Sequence, residues 1–287
     1  SFQFVYPFHR QNGDRHLYCT GGIEIPGFVD PVAVGDRVRI ALSREKGVIE
    51  EVLPRANALQ RPASGRRGRS QLLAANLDRV LIVIAPAPLP SRDLVERYLV
   101  AVHSLGIEPV LVLNKAELLN GAPVEPGGPL DHLEDYRQLG YTVLETSCKA
   151  APGTSVLDAA LQNRVSILVG QSGVGKSSII NSLVGDELQK TSEISDKSRE
   201  GRHTTVNSAM ISLPDGGAII DSPGVRDYAP ALESSAVASQ GFREIREAAQ
   251  ECRFANCRHL REPGCAVKDR CETGAISARR YESYKRI

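Results

Sequence analysis

The sequence predicts a chain of three parts. An N-terminal all-β, OB-like barrel spans residues 1–68, a doubly wound α/β domain spans 69–235, and a mostly helical module spans 236–287. Three observations predict this division. Up to residue 68, short runs alternate apolar and polar positions with no helical period between them. From Asp78 onward, continuous apolar runs alternate with helical ones, the pattern of a parallel sheet with crossover helices. Near the C-terminus, four of the six cysteines crowd into residues 252–271 around a histidine. At 287 residues the chain has room for two or three domains.

In the first part, "PVAVGDRVRIAL" (31–42) and "KGVIEEVL" (46–53) read as strands with Gly-Asp turn signals. A small OB-like barrel suits them, as does another small sandwich or SH3-like barrel. "RPASGRRGRS" (61–70) has four arginines and no acid, so it reads as a basic linker, either solvated or in contact with RNA. The chain begins at Ser1 within a strand-like run and its one methionine is Met210, so the native start is expected upstream. No apolar run approaches the ~20 residues of a membrane span, and no signal peptide is apparent. A cytoplasmic protein with no membrane partner is expected. The net charge of +1 hides an asymmetry: residues 1–77 carry +4, residues 78–239 carry −7 and residues 240–287 carry +4. Basic ends suit an RNA surface, with solvated charge as the plain alternative.

The second part opens with "RVLIVIAP" (79–86) and "EPVLVLNK" (108–115), continuous apolar strands. Between them "SRDLVERYLVAVHSLG" (91–106) has helical spacing, a Ser cap and a terminal Gly. "YTVLETS" (141–147) and "RVSILVG" (164–170) continue the alternation. The last run leads into "GQSGVGKSSIIN" (170–181), which fits G-x-x-x-x-G-K-[ST]. The loop comprises Gly170, Gln171, Ser172, Gly173, Val174, Gly175, Lys176, Ser177 and Ser178. Its glycines turn backbone N–H groups toward phosphates, and the helix start adds a positive dipole end. Lys176 reaches the β- and γ-phosphates and Ser177 ligates Mg²⁺. A glycine-rich turn holding no ligand is the bland alternative.

A phosphate loop does not tell guanine from adenine. The base reader is expected at neighbouring strand ends, in "NKAE" (114–117) and "TSCK" (146–149). Guanine offers an N1–H and an N2 amine, which one carboxylate accepts together; Glu117 is placed for this. Asn114 and the backbone at Cys148 address O6 and N7, Ser147 belongs to the same nucleotide-binding set, and the stems of Lys115 and Lys149 stack on base and ribose. Downstream, "GRHTT" (201–205) offers Thr204 or Thr205 to Mg²⁺ and the γ-phosphate. "AIIDSPG" (218–224) ends in D-x-x-G, with Asp221 toward Mg²⁺ and Gly224 toward the γ-phosphate. GTPases usually run phosphate loop, threonine, D-x-x-G, N-K-x-D, S-A-K. Here the last two come first, so the order is circularly permuted.

With these motifs the chain resembles the circularly permuted, ribosome small-subunit-dependent GTPases over essentially its whole length. Departures are Glu117 for the usual Asp and S-C-K for S-A-K. The resemblance implies a GTPase acting late in small-subunit maturation, stimulated by the subunit. Its cofactors would be GTP/GDP, Mg²⁺ and one structural Zn²⁺, and its partner the subunit's RNA, the chain being monomeric off the ribosome. A small-molecule P-loop kinase and an RNA-binding protein with structural GTP are the rival readings. The position after D-x-x-G, where many GTPases carry a glutamine, is Val225; His203 is the candidate catalytic replacement.

In the third part, "CRFANCRHLREPGC" (252–265) places Cys252, Cys257, His259 and Cys265 in C-x4-C-x-H-x5-C. A Cys₃His set suits tetrahedral Zn²⁺, and the spacing resembles that family's zinc module. Cys271 in place of His259, and free buried cysteines without metal, remain alternatives.

Overall fold

The computed structural model describes residues 9–11, 14–18, 32–43, 46–61, 71–91, 93–119, 130, 132–184, 209–222 and 238–287. Among the described residues the N-terminal part is all-β. Strands β1 (His9–Gln11), β2 (Asp14–Tyr18), β3 (Arg37–Ser43) and β4 (Lys46–Val52) form an antiparallel sheet in that order. β5 (Ala58–Arg61) and β6 (Gln71–Ala75) form a separate antiparallel pair, whose ladder crosses the boundary expected at 68. Among the described residues these are two open sheets, so a closed barrel stays an expectation. Buried polar contacts hold the turn before β3 in place. Asp36, fully buried, takes a bidentate bond from Arg55 at 2.6 and 2.8 Å, and the Asn76 amide donates to the Gly35 carbonyl at 2.9 Å.

The centre is a six-stranded sheet. Its strands are β7 (Arg79–Ile84), β8 (Pro109–Leu113), β9 (Thr142–Glu145), β10 (Val165–Val169), β11 (Ala209–Ser212) and β12 (Ala218–Asp221). They lie in the order β11-β12-β10-β7-β8-β9, parallel except for β11, which runs antiparallel at the edge. The continuous apolar runs arise because both faces are buried. Val80, Ile82 and Ile84 pack on one side with Tyr98 and Leu99, while Leu81 and Val83 pack on the other with Leu157 and Ile179. Helices α1 (Leu94–Ser104) and α2 (Leu133–Gln138) cover the first face, and α3 (Asp158–Leu161) and α4 (Lys176–Val184) the second.

The start of α1 differs from the expected Ser cap. Asp93 occupies the cap position with φ of 62° and its side chain caps nothing in that helix. Its carboxylate is instead taken by Ser283 at 2.7 Å and Arg286 at 2.7 and 2.8 Å. A partner nearly two hundred residues away has displaced the local motif. Gly106 does end the helix segment with positive φ, as its position suggested.

The C-terminal part is mostly helical: α5 (Arg243–Ala249), α6 (Ala266–Glu272) and α7 (Ala278–Arg286). It has its own apolar cluster, including Phe242, Ile245, Val267 and Tyr284, which reaches Val100 on α1. Around that contact lies a buried ionic lock. Glu96 accepts from the Tyr136 hydroxyl and from Arg279, both at 2.6 Å, and Arg280, fully buried, donates to Glu244 at 2.5 and 3.1 Å. Burial opposes the charge on Glu96, yet Arg279 and Tyr136 hold its pKa below the ordinary value. No helix among the described residues is long and apolar enough to cross a membrane.

Candidate functional site

The C-terminal ends of β7, β8, β9, β10 and β12 lie at one sheet edge, the place where doubly wound sheets receive ligands. The phosphate loop follows β10 and opens α4. Its first residue, Gly170, has φ of 142°, and a Cβ there would stand 2.2 Å from the Val83 carbonyl oxygen. Only glycine lets the loop leave the sheet so tightly. Lys176 is buried, and its Nζ donates back to the Gly170 and Gln171 carbonyls at 2.6 and 2.9 Å. Ser172, Gly173, Ser177 and Ser178 are exposed at the loop and the first turn of the helix.

The N-K-A-E loop after β8 is braced against the phosphate loop. Asn114, 2% exposed, donates through Nδ2 to the Val174 carbonyl at 2.9 Å and accepts from the Thr146 hydroxyl at 3.1 Å. One amide thereby ties the loops after β8, β9 and β10 together. Gly175 makes that approach possible, since a Cβ on it would lie 2.3 Å from Asn114 Nδ2. Lys115, at φ of 60°, donates to the Ala87 and Gly173 carbonyls at 2.6 and 2.7 Å. Glu117 is half-buried, and its Oε2 is buried with no hydrogen-bond partner among the described residues. The Ser147 hydroxyl beside it, with Lys149 and Lys115 farther out, holds its carboxyl below the ordinary range. Glu117 is therefore an ionised acceptor with spare capacity. Ser147 also accepts from the backbone N–H groups of Lys149 and Ala150 at 3.0 and 2.9 Å, shaping the loop that exposes Cys148 and Lys149.

Asp221 ends β12 at the same edge. His203, Thr204, Thr205, Gly224 and Val225 lie outside the described residues. Two contributors were not foreseen. Thr146 braces Asn114, and the loop after β7 walls the phosphate loop through Ala87, through Pro88 packed near Gly173, and through the Ser91 N–H on Gln171 at 3.3 Å. The proline-rich run "APAPLP" (85–90) at a strand end was the available signal for that wall.

The second cluster lies in the loop between α5 and α6. One ligand atom each from Cys252, Cys257, His259 and Cys265 fall within 4.8 Å of one another. Cys252 and Cys265 sulfurs are 4.0 Å apart, and each is 3.5 Å from His259 Nδ1. Zinc bonds of about 2.3 Å to sulfur and about 2.0 Å to nitrogen, set tetrahedrally, call for about 3.8 Å between sulfurs and about 3.5 Å from sulfur to nitrogen. The donor set and its spacing therefore fit Zn²⁺. Cys271 stands outside the group, partly buried against the apolar cluster. Glu262 organises the loop: its carboxylate accepts from the backbone N–H groups of Arg258, Leu260 and Arg261 at 3.0–3.1 Å, and its own backbone N–H, with theirs, lowers its pKa to about 2.

Residues 52–230 match the family model described as RsgA GTPase. Similar proteins include the "Small ribosomal subunit biogenesis GTPase RsgA" of Azotobacter vinelandii, 43% identical over 89% of this chain and 74% of that protein. The protein of the same name from Pseudomonas putida is 42% identical with the same coverage. Among solved structures, YjeQ from Thermotoga maritima superposes with a TM-score of 0.68 at 28% identity. YloQ, a circularly permuted GTPase, does so at 0.68 and 26%; each comparison covers 97% of this chain and 91% of the other. A GTPase family sets aside the small-molecule kinase and the protein with merely structural GTP. The chain belongs to the RsgA GTPase family, and its permuted motif order is that of a circularly permuted GTPase.

Proposed function

We propose that this GTPase acts in biogenesis of the small ribosomal subunit, in the cytoplasm, as a switch that docks on the subunit's RNA and is stimulated by it. The observation that carries the nucleotide half is Glu117. Its buried, unpartnered Oε2 sits on a loop that Asn114 and Lys115 lock to the phosphate loop. A guanine N1–H and N2 amine supply the missing donors; adenine has no such pair. Asn114, Ser147 and the Cys148 backbone complete the base pocket, Lys115 and Lys149 flank it, and residues 170–178 cradle the phosphates. Ser177 and Asp221, with Thr204 or Thr205, supply the oxygen ligands that suit Mg²⁺, whose charge offsets that of the phosphates. Gly224 donates to the γ-phosphate.

Cys252, Cys257, His259 and Cys265 hold one structural Zn²⁺ in a C-terminal module that docks on RNA, as does the basic N-terminal barrel over 1–68. With Val225 where a water-orienting glutamine often stands, intrinsic hydrolysis is slow, and His203 orients the attacking water once the subunit is bound. Turnover of GTP with and without isolated small subunits tests the reading. Stimulation by subunits is expected, and His203→Ala should bind GTP and subunits normally while losing it. Hydrolysis indifferent to subunits would reject the switch, and full stimulation of His203→Ala would move the activating group elsewhere.

A further inference from the structure

The arginines of the C-terminal part fall into two sets. One set is paired with carboxylates: Arg279 with Glu96, Arg280 with Glu244, Arg286 with Asp93, Arg270 with Glu251 and Arg243 with Glu108. These residues face the GTPase sheet or neighbouring helices and leave little free charge. The other set is Arg246 on α5 and, on the loop, Arg253, Arg258 and Arg261, all exposed and none with a carboxylate partner among the described residues. The three on the loop each stand within two residues of a ligand candidate, because Arg253 follows Cys252, Arg258 stands between Cys257 and His259, and Arg261 is two residues beyond His259. The one carboxylate between Cys252 and Cys265, Glu262, is turned onto backbone N–H groups.

Two large apolar side chains are exposed among them, Phe254 at 40% and Leu260 at 47%. The Arg253 guanidinium stands 5.4 Å from the Phe254 ring centre. An aromatic ring beside unpaired arginines is a combination that a paired duplex does not use, because stacking hides its base faces. It matches unpaired nucleotides, whose bases stack on aromatic rings while guanidinium groups take the phosphates.

We propose that this face binds unpaired RNA, with Phe254 stacking one base and Arg253, Arg258 and Arg261 holding the flanking phosphates. The proposal rests on the reading that the module docks on RNA and specifies which RNA. The test uses the full chain with a short fluorescent oligouridylate and, as control, a blunt RNA hairpin of similar length. The chain contains no tryptophan, so Phe254→Trp introduces a single indole. That variant should keep its affinity for oligouridylate and show quenching on binding it, but not on binding the hairpin. Phe254→Leu should weaken oligouridylate binding about tenfold with an unchanged salt slope and leave hairpin binding unaltered. Arg258→Gln combined with Arg261→Gln should lower the slope of log affinity against log salt by about 0.7 per charge removed. An unquenched indole together with undiminished affinity in Phe254→Leu would overturn the stacking proposal while leaving RNA docking in place. Failure of the unsubstituted chain to bind either RNA would overturn the docking reading itself.

Discussion

The phosphate-loop edge and the cysteine/histidine loop each converge four or more functional side chains, and they do so by opposite means. At the sheet edge, the described residues are already held in place by the polypeptide. Asn114, Lys115 and Lys176 are all bonded to backbone carbonyls, in loops and a helix start that follow strands whose residues are almost wholly buried. In the 252–265 loop, no regular element spans the ligands. The four donors lie together only where the chain turns back on itself, with Glu262 gathering three N–H groups. The first region owes its shape to a core and needs its ligand only for function. The second has too little apolar material of its own, so under the zinc reading proposed above its ligand would be part of its fold.

The sharpest way to break this contrast is to remove one metal donor. Cys257→Ala leaves three ligands, and structural zinc supplies on the order of 10 kcal/mol to such loops. The variant should be purified without zinc, with residues 252–265 unfolded. GTP affinity should be unchanged, because the phosphate loop belongs to a different apolar cluster. Elemental analysis with proteolysis and calorimetry checks both halves. Should Cys271→Ala lose the metal while His259→Ala keeps it, the ligand set would be the alternative one.

Removing one hydrogen-bond acceptor at the sheet edge should have a purely local effect. Glu117→Ala deprives the guanine N1–H and N2 amine of their acceptor, a loss of about 3 kcal/mol or roughly a hundredfold in GDP affinity. The melting temperature of the nucleotide-free protein should move little, because Oε2 has no hydrogen-bond partner among the described residues and only the Ser147 contact is lost. Equal affinities of the parent chain for ATP and GTP would reject Glu117 as the reader.

Much of the edge was legible in the sequence because a phosphate loop constrains its own letters. Gly170 is forced by the Val83 carbonyl and Gly175 by the Asn114 side-chain amide, contacts that any side chain there would violate, and Lys176 is fixed by the turn it follows. The parallel strands were legible because double-sided burial leaves no polar positions within Val80–Ile84 or Val110–Leu113. What escaped was decided between distant segments. "ARRYESYKR" in α7 reads as a solvated basic helix, yet Arg280 is fully buried because Glu244 and Glu96 meet it there. Asp93 left its helix cap for Arg286 on the same account. Much of the module's positive charge is thus paired internally, and three of its four exposed arginines without a carboxylate partner among the described residues lie on the 252–265 loop. No local pattern announces which charges will find partners across such separations.

The smallest expected effect concerns how the metal loop is held beyond its ligands. The Glu262 carboxylate is bonded by its own backbone N–H and by those of Arg258, Arg261 and Leu260, and these, more than any cation, lower its pKa to about 2. A depressed carboxyl pKa means the folded state favours the charged form. Its stabilising contribution is complete above the ordinary carboxylate range, near 4.5, and fades only as pH falls toward about 2. Around neutrality it is constant, so a substitution and not a pH change must reveal it. Glu262→Gln keeps one acceptor oxygen and loses the charge that strengthens those bonds. The variant should still contain zinc and bind GTP with unaltered affinity, but a competing chelator should extract its metal several-fold faster. Zinc transfer to a chromogenic chelator at neutral pH measures this directly. An unchanged rate would show that the four ligands alone hold the loop, and would make the two regions more alike than their hydrogen bonding indicates.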